Sequence, residues 1–233
     1  MRFGSKLKVR HYDEAVARYE ARPFETGKII FFGDSLFTRC SDFYCDNHPE
    51  KAHPKLEKVL LEKDGTRAVI NHGLGGSSAD NLLYYYDRMV RPYKPRALIV
   101  STGGNDKTFG YTPSEVMNIL ATMIDWFRAE FPGVPVYCFN KIPAYKDKDQ
   151  ENESTIYRKE YSELLRGYCS EKEGVHLIDL SRAPFLYKTP DDIGHYNMYR
   201  DDIFDEDGVH YNAVGYGLFM DFVRGVLENG GLL

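Results

Sequence analysis

Four short stretches of this chain carry residues that could perform acyl transfer together. Ser35 lies in IIFFGDSLFTRC, directly after a run of apolar residues. A serine hydroxyl is a poor nucleophile until a base takes its proton, and the side chain whose ordinary pKa suits that work near neutrality is histidine. DEDGVH supplies His210, with Asp207 three residues earlier in a turn that contains Gly208. That spacing lets a carboxylate accept the imidazole Nδ1 proton and leaves Nε2 to face Ser35. Asp205 and Asp202 compete for the same task. Negative charge that develops on a substrate oxygen needs donors aimed at it. The backbone N–H of Ser35, the N–H of Gly76 in HGLGGSSAD and the side-chain amide of Asn105 in GGND offer three. A neutral amide suits that place, because a lysine there would add charge beside the imidazolium.

Each of these residues also has an ordinary structural role open to it. Ser35 fits a cap after a strand, Asn105 fits an Asx turn with Asp106, and Gly76 fits a backbone position of positive φ. Asp34 reads as a structural hydrogen-bond acceptor. GLGGSSAD resembles the phosphate loop of small-molecule kinases, but it has an extra glycine and lacks the upstream proline. A kinase reading would also leave Ser35, Asp207 and His210 without a task. No G-x-S-x-G occurs, so the nucleophile elbow of another hydrolase fold is not indicated.

The elements that must position these residues follow from the apolar pattern. KIIFF, RAVIN, ALIVST, VPVYCFN and VHLIDL are short, β-branched or aromatic, and apolar on both faces. Such runs read as strands covered by helices on both sides. Between them lie amphipathic helices. Thr112-Pro113-Ser114-Glu115 carries a cap, a proline at the first position and a capping-box glutamate, followed by Val116, Ile119, Leu120, Met123, Ile124 and Phe127 on one face. Ser78 caps a second helix with Leu82, Leu83 and Tyr86 inward; Tyr157, Tyr161, Leu164, Leu165 and Tyr168 mark a third. The last starts near Asn212 and carries Phe219, Phe222, Val223, Val226 and Leu227. Alternation of strand and helix predicts an α/β fold, a three-layer α/β/α sandwich around a five-stranded parallel sheet. Its ligand crevice lies beyond the carboxyl ends of the strands, where all four polar stretches converge.

GDSL at 33–36, NHGLGG at 71–76, GGND at 103–106 and DGVH at 207–210 resemble, in order, the blocks of the SGNH or GDSL hydrolases. The resemblance spans nearly the whole chain and treats residues 1–233 as a single SGNH hydrolase domain. It implies a flavodoxin-like fold and hydrolysis of carboxylic esters. It carries Ser35 as nucleophile, Gly76 and Asn105 as oxyanion donors, and Asp207 with His210 as the rest of the triad, preferring Asp207 over its neighbours. Ser77 departs from the family pattern, which often has aspartate there. Neither cofactor nor metal is required. The expected substrate is a small-molecule ester with a short acyl group such as acetyl on a carbohydrate. Lysophospholipase or thioesterase activity is the alternative within the family, and a non-catalytic carbohydrate-binding protein the alternative outside catalysis. His195, Tyr196 and Tyr199, with Tyr187, could form a substrate platform in the loop before the triad.

Bulk properties restrict the partners. At 233 residues, 42% hydrophobic and net charge −5, the chain reads as an ordinary globular domain with a sizeable core. No basic stripe points to nucleic acid, and no apolar run points to a membrane span. The start MRFGSKLKVRHYDEAVARYE has basic residues with no apolar stretch after them, so a secretory leader is not expected. Cys40, Cys45, Cys138 and Cys169 fit no zinc spacing and read as free thiols in the cytoplasm. His48 and His53 read as surface residues, and His72 as a satisfied buried one.

Overall fold

The computed structural model describes residues 12–233. Residues 1–11, the basic start that bears on the leader question, lie outside the described residues. Five strands, β1 (Ile29–Gly33), β2 (Val69–Gly73), β3 (Ala97–Ser101), β4 (Val136–Phe139) and β5 (Val175–Ile178), form one sheet in the order β2-β1-β3-β4-β5. Every neighbouring pair is parallel. The winding direction reverses between β1 and β3, the flavodoxin-like order, and a crevice opens at that point beyond the strand ends.

The helices are α1 (Asp13–Glu20), the short α2 (Ser35–Thr38), α3 (Asp42–Asn47) and α4 (Leu56–Val59), then α5 (Ala79–Met89), α6 (Pro113–Glu130), α7 (Glu153–Glu171) and α8 (Ala213–Asn229). Successive strand side chains leave opposite faces. Ile30 and Phe32 therefore enter a core with α1, α5, α6 and α7, while Ile29 and Phe31 enter one with α4 and α8. β1 to β4 are buried along their whole length, as strands without polar alternation should be.

The cap residues act as their types predict. Thr112 Oγ1 accepts from Glu115 N at 3.2 Å, and Glu115 Oε2 accepts from Thr112 N at 2.8 Å. Asn81 Oδ1 accepts from Ser78 N at 3.2 Å at the start of α5, and Asn212 Oδ1 from Gly215 N at 3.0 Å at the start of α8. One helical residue departs from expectation. Leu164 faces solvent, because the inward stripe of α7 runs at four-residue steps through Tyr157, Tyr161, Leu165 and Cys169.

Two glycines let the strands approach α2 closely. A Cβ at Gly73 would stand 2.3 Å from Thr38 N of α2, and one at Gly33 would stand 2.9 Å from the Phe37 ring of α2 and 2.6 Å from Ser101 O of β3. Backbone atoms cannot retreat as a side-chain tip can. Gly73→Ala should therefore destabilise by about 1–3 kcal/mol through overpacking. At this size that is a loss of roughly 2–4 °C in Tm for each kcal/mol. Thermal denaturation checks it, and an unchanged Tm would mean that the two segments are not in close contact.

Candidate active site

Ser35 is the first residue of α2, immediately beyond β1. The cap of that turn is Asp34, whose Oδ1 accepts from Leu36 N at 3.1 Å. Ser35 is thus spared the capping task that its sequence context allowed. The turn is fastened from behind: Asn71 Nδ2, from the middle of β2, donates to Phe37 O at 2.9 Å. Asp34 is almost fully buried, and its Oδ1 also accepts from Ser101 Oγ at 3.2 Å. Its Oδ2 accepts from Lys141 Nζ at 2.7 Å, which balances the buried charge.

His210 Nε2 lies 2.8 Å from Ser35 Oγ across 175 positions of sequence. His210 Nδ1 lies 2.7 Å from Asp207 Oδ2. The carboxylate holds the proton on Nδ1, which leaves Nε2 as an acceptor for the serine O–H. Asp207 Oδ1 accepts from Val209 N at 2.8 Å and His210 N at 2.9 Å. Burial alone would raise its pKa, but these N–H groups and the imidazole hold it well below the usual carboxylate range. His210 is shifted below its ordinary value, because burial opposes charging it more than Asp207 favours it.

The competing carboxylates have other partners. Asp202 pairs with Arg200 at 2.6 Å. Asp205 takes Lys51 at 2.9 Å and Arg39 Nη1 at 2.9 Å. Arg39 Nη2 also donates to Asp207 Oδ2 at 2.9 Å, so one guanidinium ties the His210 partner to its neighbour.

The Asn105 and Gly76 loops meet beside Ser35. Asn105 Nδ2 donates to Ser77 O at 3.1 Å. Gly76 has φ +81°, a conformation that favours glycine, and sits next to Ser77 and off the cavity wall. Asp106 joins the two loops: its buried carboxylate accepts from Ala79 N at 2.7 Å and Gly103 N at 3.0 Å. Burial pushes its pKa up to about 6 despite those bonds. A cavity of about 120 Å³ opens over these groups, with Ser35, His210, Asn105, Lys141, Arg158 and Tyr216 on its wall.

The substrate-platform expectation is corrected at Tyr199. His195, Tyr196 and Tyr199 do not line this cavity. Tyr199 is fully buried, donates to Pro143 O and packs on Tyr187, Tyr196 and Phe204. These rings fix the long loop to the body because their apolar area is worth more inside than at a rim. His53 is also corrected: it is buried, with Nδ1 2.9 Å from Arg39 O. His72 is buried as expected and donates from Nδ1 to Met89 O at 2.7 Å. Among the described residues no cluster of histidine, cysteine or carboxylate side chains could hold a metal ion.

Sequence reasoning missed Lys141, Arg158 and Arg39. Lys141 had a usable signal, since it stands two residues past the end of β4 and so falls on the carboxyl rim of the sheet. Arg158 and Arg39 had none, because each reaches the site from the side of a helical segment.

With this geometry in place, comparison with known proteins adds a family. The model of the GDSL-like Lipase/Acylhydrolase family matches residues 31–218. The chain is similar to Esterase TesA of Pseudomonas aeruginosa, 26% identical over 102 residues, which cover 44% of this chain and 51% of that protein. The match therefore spans about half the length of this curated relative. A lipase/acylhydrolase from Enterococcus faecalis has a similar structure, with TM-score 0.65, 22% identity and coverage of 88% of this chain and 96% of its own. So does the acetyl xylan esterase AlAXEase, with TM-score 0.63, 19% identity and coverage of 86% and 99%. These structural likenesses are likenesses of fold. Among the described residues no helix is long and apolar enough to cross a membrane.

Proposed function

The chain belongs to the GDSL-like lipase/acylhydrolase family, and from that premise we propose that it is a serine esterase that hydrolyses carboxylic esters through an acyl-serine intermediate. The observation that carries this reading is the unbroken chain from Ser35 Oγ through His210 to Asp207, at 2.8 and 2.7 Å. His210 Nε2 takes the Ser35 proton as Oγ attacks the ester carbonyl carbon. The carbonyl oxygen takes the electron pair, with the Ser35 N–H and the Asn105 amide, both on the cavity wall, as its donors; the Gly76 N–H is a third donor only by the family resemblance, since Gly76 lies off that wall. When the carbonyl re-forms, the ester C–O bond breaks and His210 gives the proton to the departing alkoxide. His210 then takes a proton from water, whose oxygen attacks the acyl-serine, and the same sequence releases the acid and restores Ser35. Asp207 holds the imidazolium in each half-reaction.

The cavity supports a short acyl group. At about 120 Å³ the cavity beside Ser35 is of a size that suits a short acyl group such as acetyl. The fold shared with an acetyl xylan esterase favours acetyl on a carbohydrate as the finer reading. A series of 4-nitrophenyl esters tests it: kcat/KM should be highest for acetate and fall with chain length. A maximum at eight or more carbons would replace this reading with a lipase or thioesterase one, and no turnover with retained sugar binding would leave a binding protein. Four buried, free cysteines support the cytoplasmic reading. The reading treats the whole chain as one hydrolase domain.

The pH profile should carry the mark of His210. Only the neutral imidazole accepts the serine proton, so kcat/KM falls as pH drops through the His210 pKa. Burial places that pKa below its ordinary 6.5, so the midpoint of the fall should lie below pH 6.5. A midpoint above pH 7 would mean that a different group is the base.

A further inference from the structure

We infer that the cavity beside Ser35 selects esters that carry an oxyanion group, and that Arg158 is the residue that binds it. The inference rests on the esterase reading and names its substrate class. Arg158 projects from α7 onto the same wall as Ser35 and His210. It is half-buried, and the partner of its guanidinium is a single carbonyl, Ile142 O, which accepts from Nη1 at 3.1 Å. Among the described residues no carboxylate forms an ion pair with it; Asp147 and Asp34 influence it only from a distance. The other cation on the wall is differently placed. Lys141 is held at 2.7 Å by both Asp34 Oδ2 and Ser101 Oγ.

The wall therefore carries two cations against one carboxylate, in a chain whose overall formal charge is −5. Burial without an anion opposes the charge on Arg158 and lowers its pKa, yet arginine stays protonated. A partly buried guanidinium whose remaining N–H groups have no protein acceptor among the described residues is matched by a planar or tetrahedral oxyanion, which accepts two parallel hydrogen bonds. A purely structural arginine would be expected to find a carboxylate or several carbonyls.

The test uses two ester pairs. On the acyl side, mono-4-nitrophenyl glutarate is compared with 4-nitrophenyl valerate. On the alcohol side, 4-acetoxybenzoate is compared with its methyl ester. Wild-type protein should prefer the anionic member of at least one pair by roughly tenfold to a hundredfold in kcat/KM, the range for a charged hydrogen bond. The preferred pair tells on which side of the ester the charge sits. Arg158→Met should bring the ratio to near one, and Arg158→Lys should keep part of it. Equal rates within both pairs, or a preference untouched by Arg158→Met, would overturn the inference. If Arg158→Met does not fold, the decision passes to Arg158→Lys, whose ratio must fall. Turnover of none of the four esters would count against hydrolysis itself. Binding of 4-acetoxybenzoate and its methyl ester to Ser35→Ala protein, with and without Arg158→Met, then decides the arginine separately. Tighter binding of the anion that disappears with Arg158→Met supports the site, and equal binding rejects it.

Discussion

Replacing Ser35 by alanine is expected to lower kcat on 4-nitrophenyl acetate by about 10⁶-fold, the scale on which removal of a serine nucleophile acts in triad enzymes. The protein should remain folded. Asp34, not Ser35, caps α2, and the hydrogen bond of Ser35 is to His210 Nε2 at 2.8 Å. Alanine also suits a helical turn. Loss of rate with an unchanged Tm therefore separates a chemical role from a structural one. Two measurements check it together: steady-state rates, and mass spectrometry after exposure to a fluorophosphonate. The wild-type protein should gain one adduct on the peptide that contains Ser35, and Ser35→Ala should gain none. A variant that kept its rate within a few-fold would remove Ser35 from the mechanism.

Asp207→Asn should cost about 10⁴-fold in kcat, for a reason that lies in proton placement. Asp207 Oδ1 accepts two backbone N–H groups, from Val209 and His210, so an asparagine would keep its carbonyl oxygen there. Its NH₂ would then face His210 Nδ1, which must become an acceptor. The proton moves to Nε2, and the atom that should receive the serine proton already carries one. Asp205→Asn is the matched control. Asp205 pairs with Arg39 and Lys51 and makes no contact with the imidazole ring, so its loss should cost far less. Proton NMR of the Nδ1–H of His210 reads the tautomer directly, since that resonance should disappear in Asp207→Asn. Equal losses in the two variants would mean that the acidic pair acts through loop stability and not through the ring.

The two variants probe different parts of one network. Arg39 bridges Asp205 and Asp207, so the turn that carries His210 is tied to the segment just after Ser35. The segments that carry Ser35 and His210 are thus tied by one guanidinium without a covalent link. Asp106 does the comparable work on the other side of the cavity by joining the Ala79 and Gly103 backbones.

The sequence by itself determined the layered fold, the strands and the residue types of the site. Period and composition are local properties, and runs such as IIFF and ALIV allow few folds other than a sheet covered on both faces. The convergence of Ser35, Asn105 and His210 also followed from order alone, because parallel strands deliver their following loops to one rim. Tertiary structure alone decided the rest. It aimed Asp207, the carboxylate that the DGVH block already favoured, at the His210 ring and turned Asp205 and Asp202 toward basic side chains. It took Tyr199 from a supposed platform into the core, because a loop of aromatic residues buries its rings wherever the body offers a surface. It brought Arg158 and Lys141 onto the cavity wall, and left one of them paired and the other open. Such contacts depend on side-chain direction between segments far apart in the chain, and no local pattern encodes that direction.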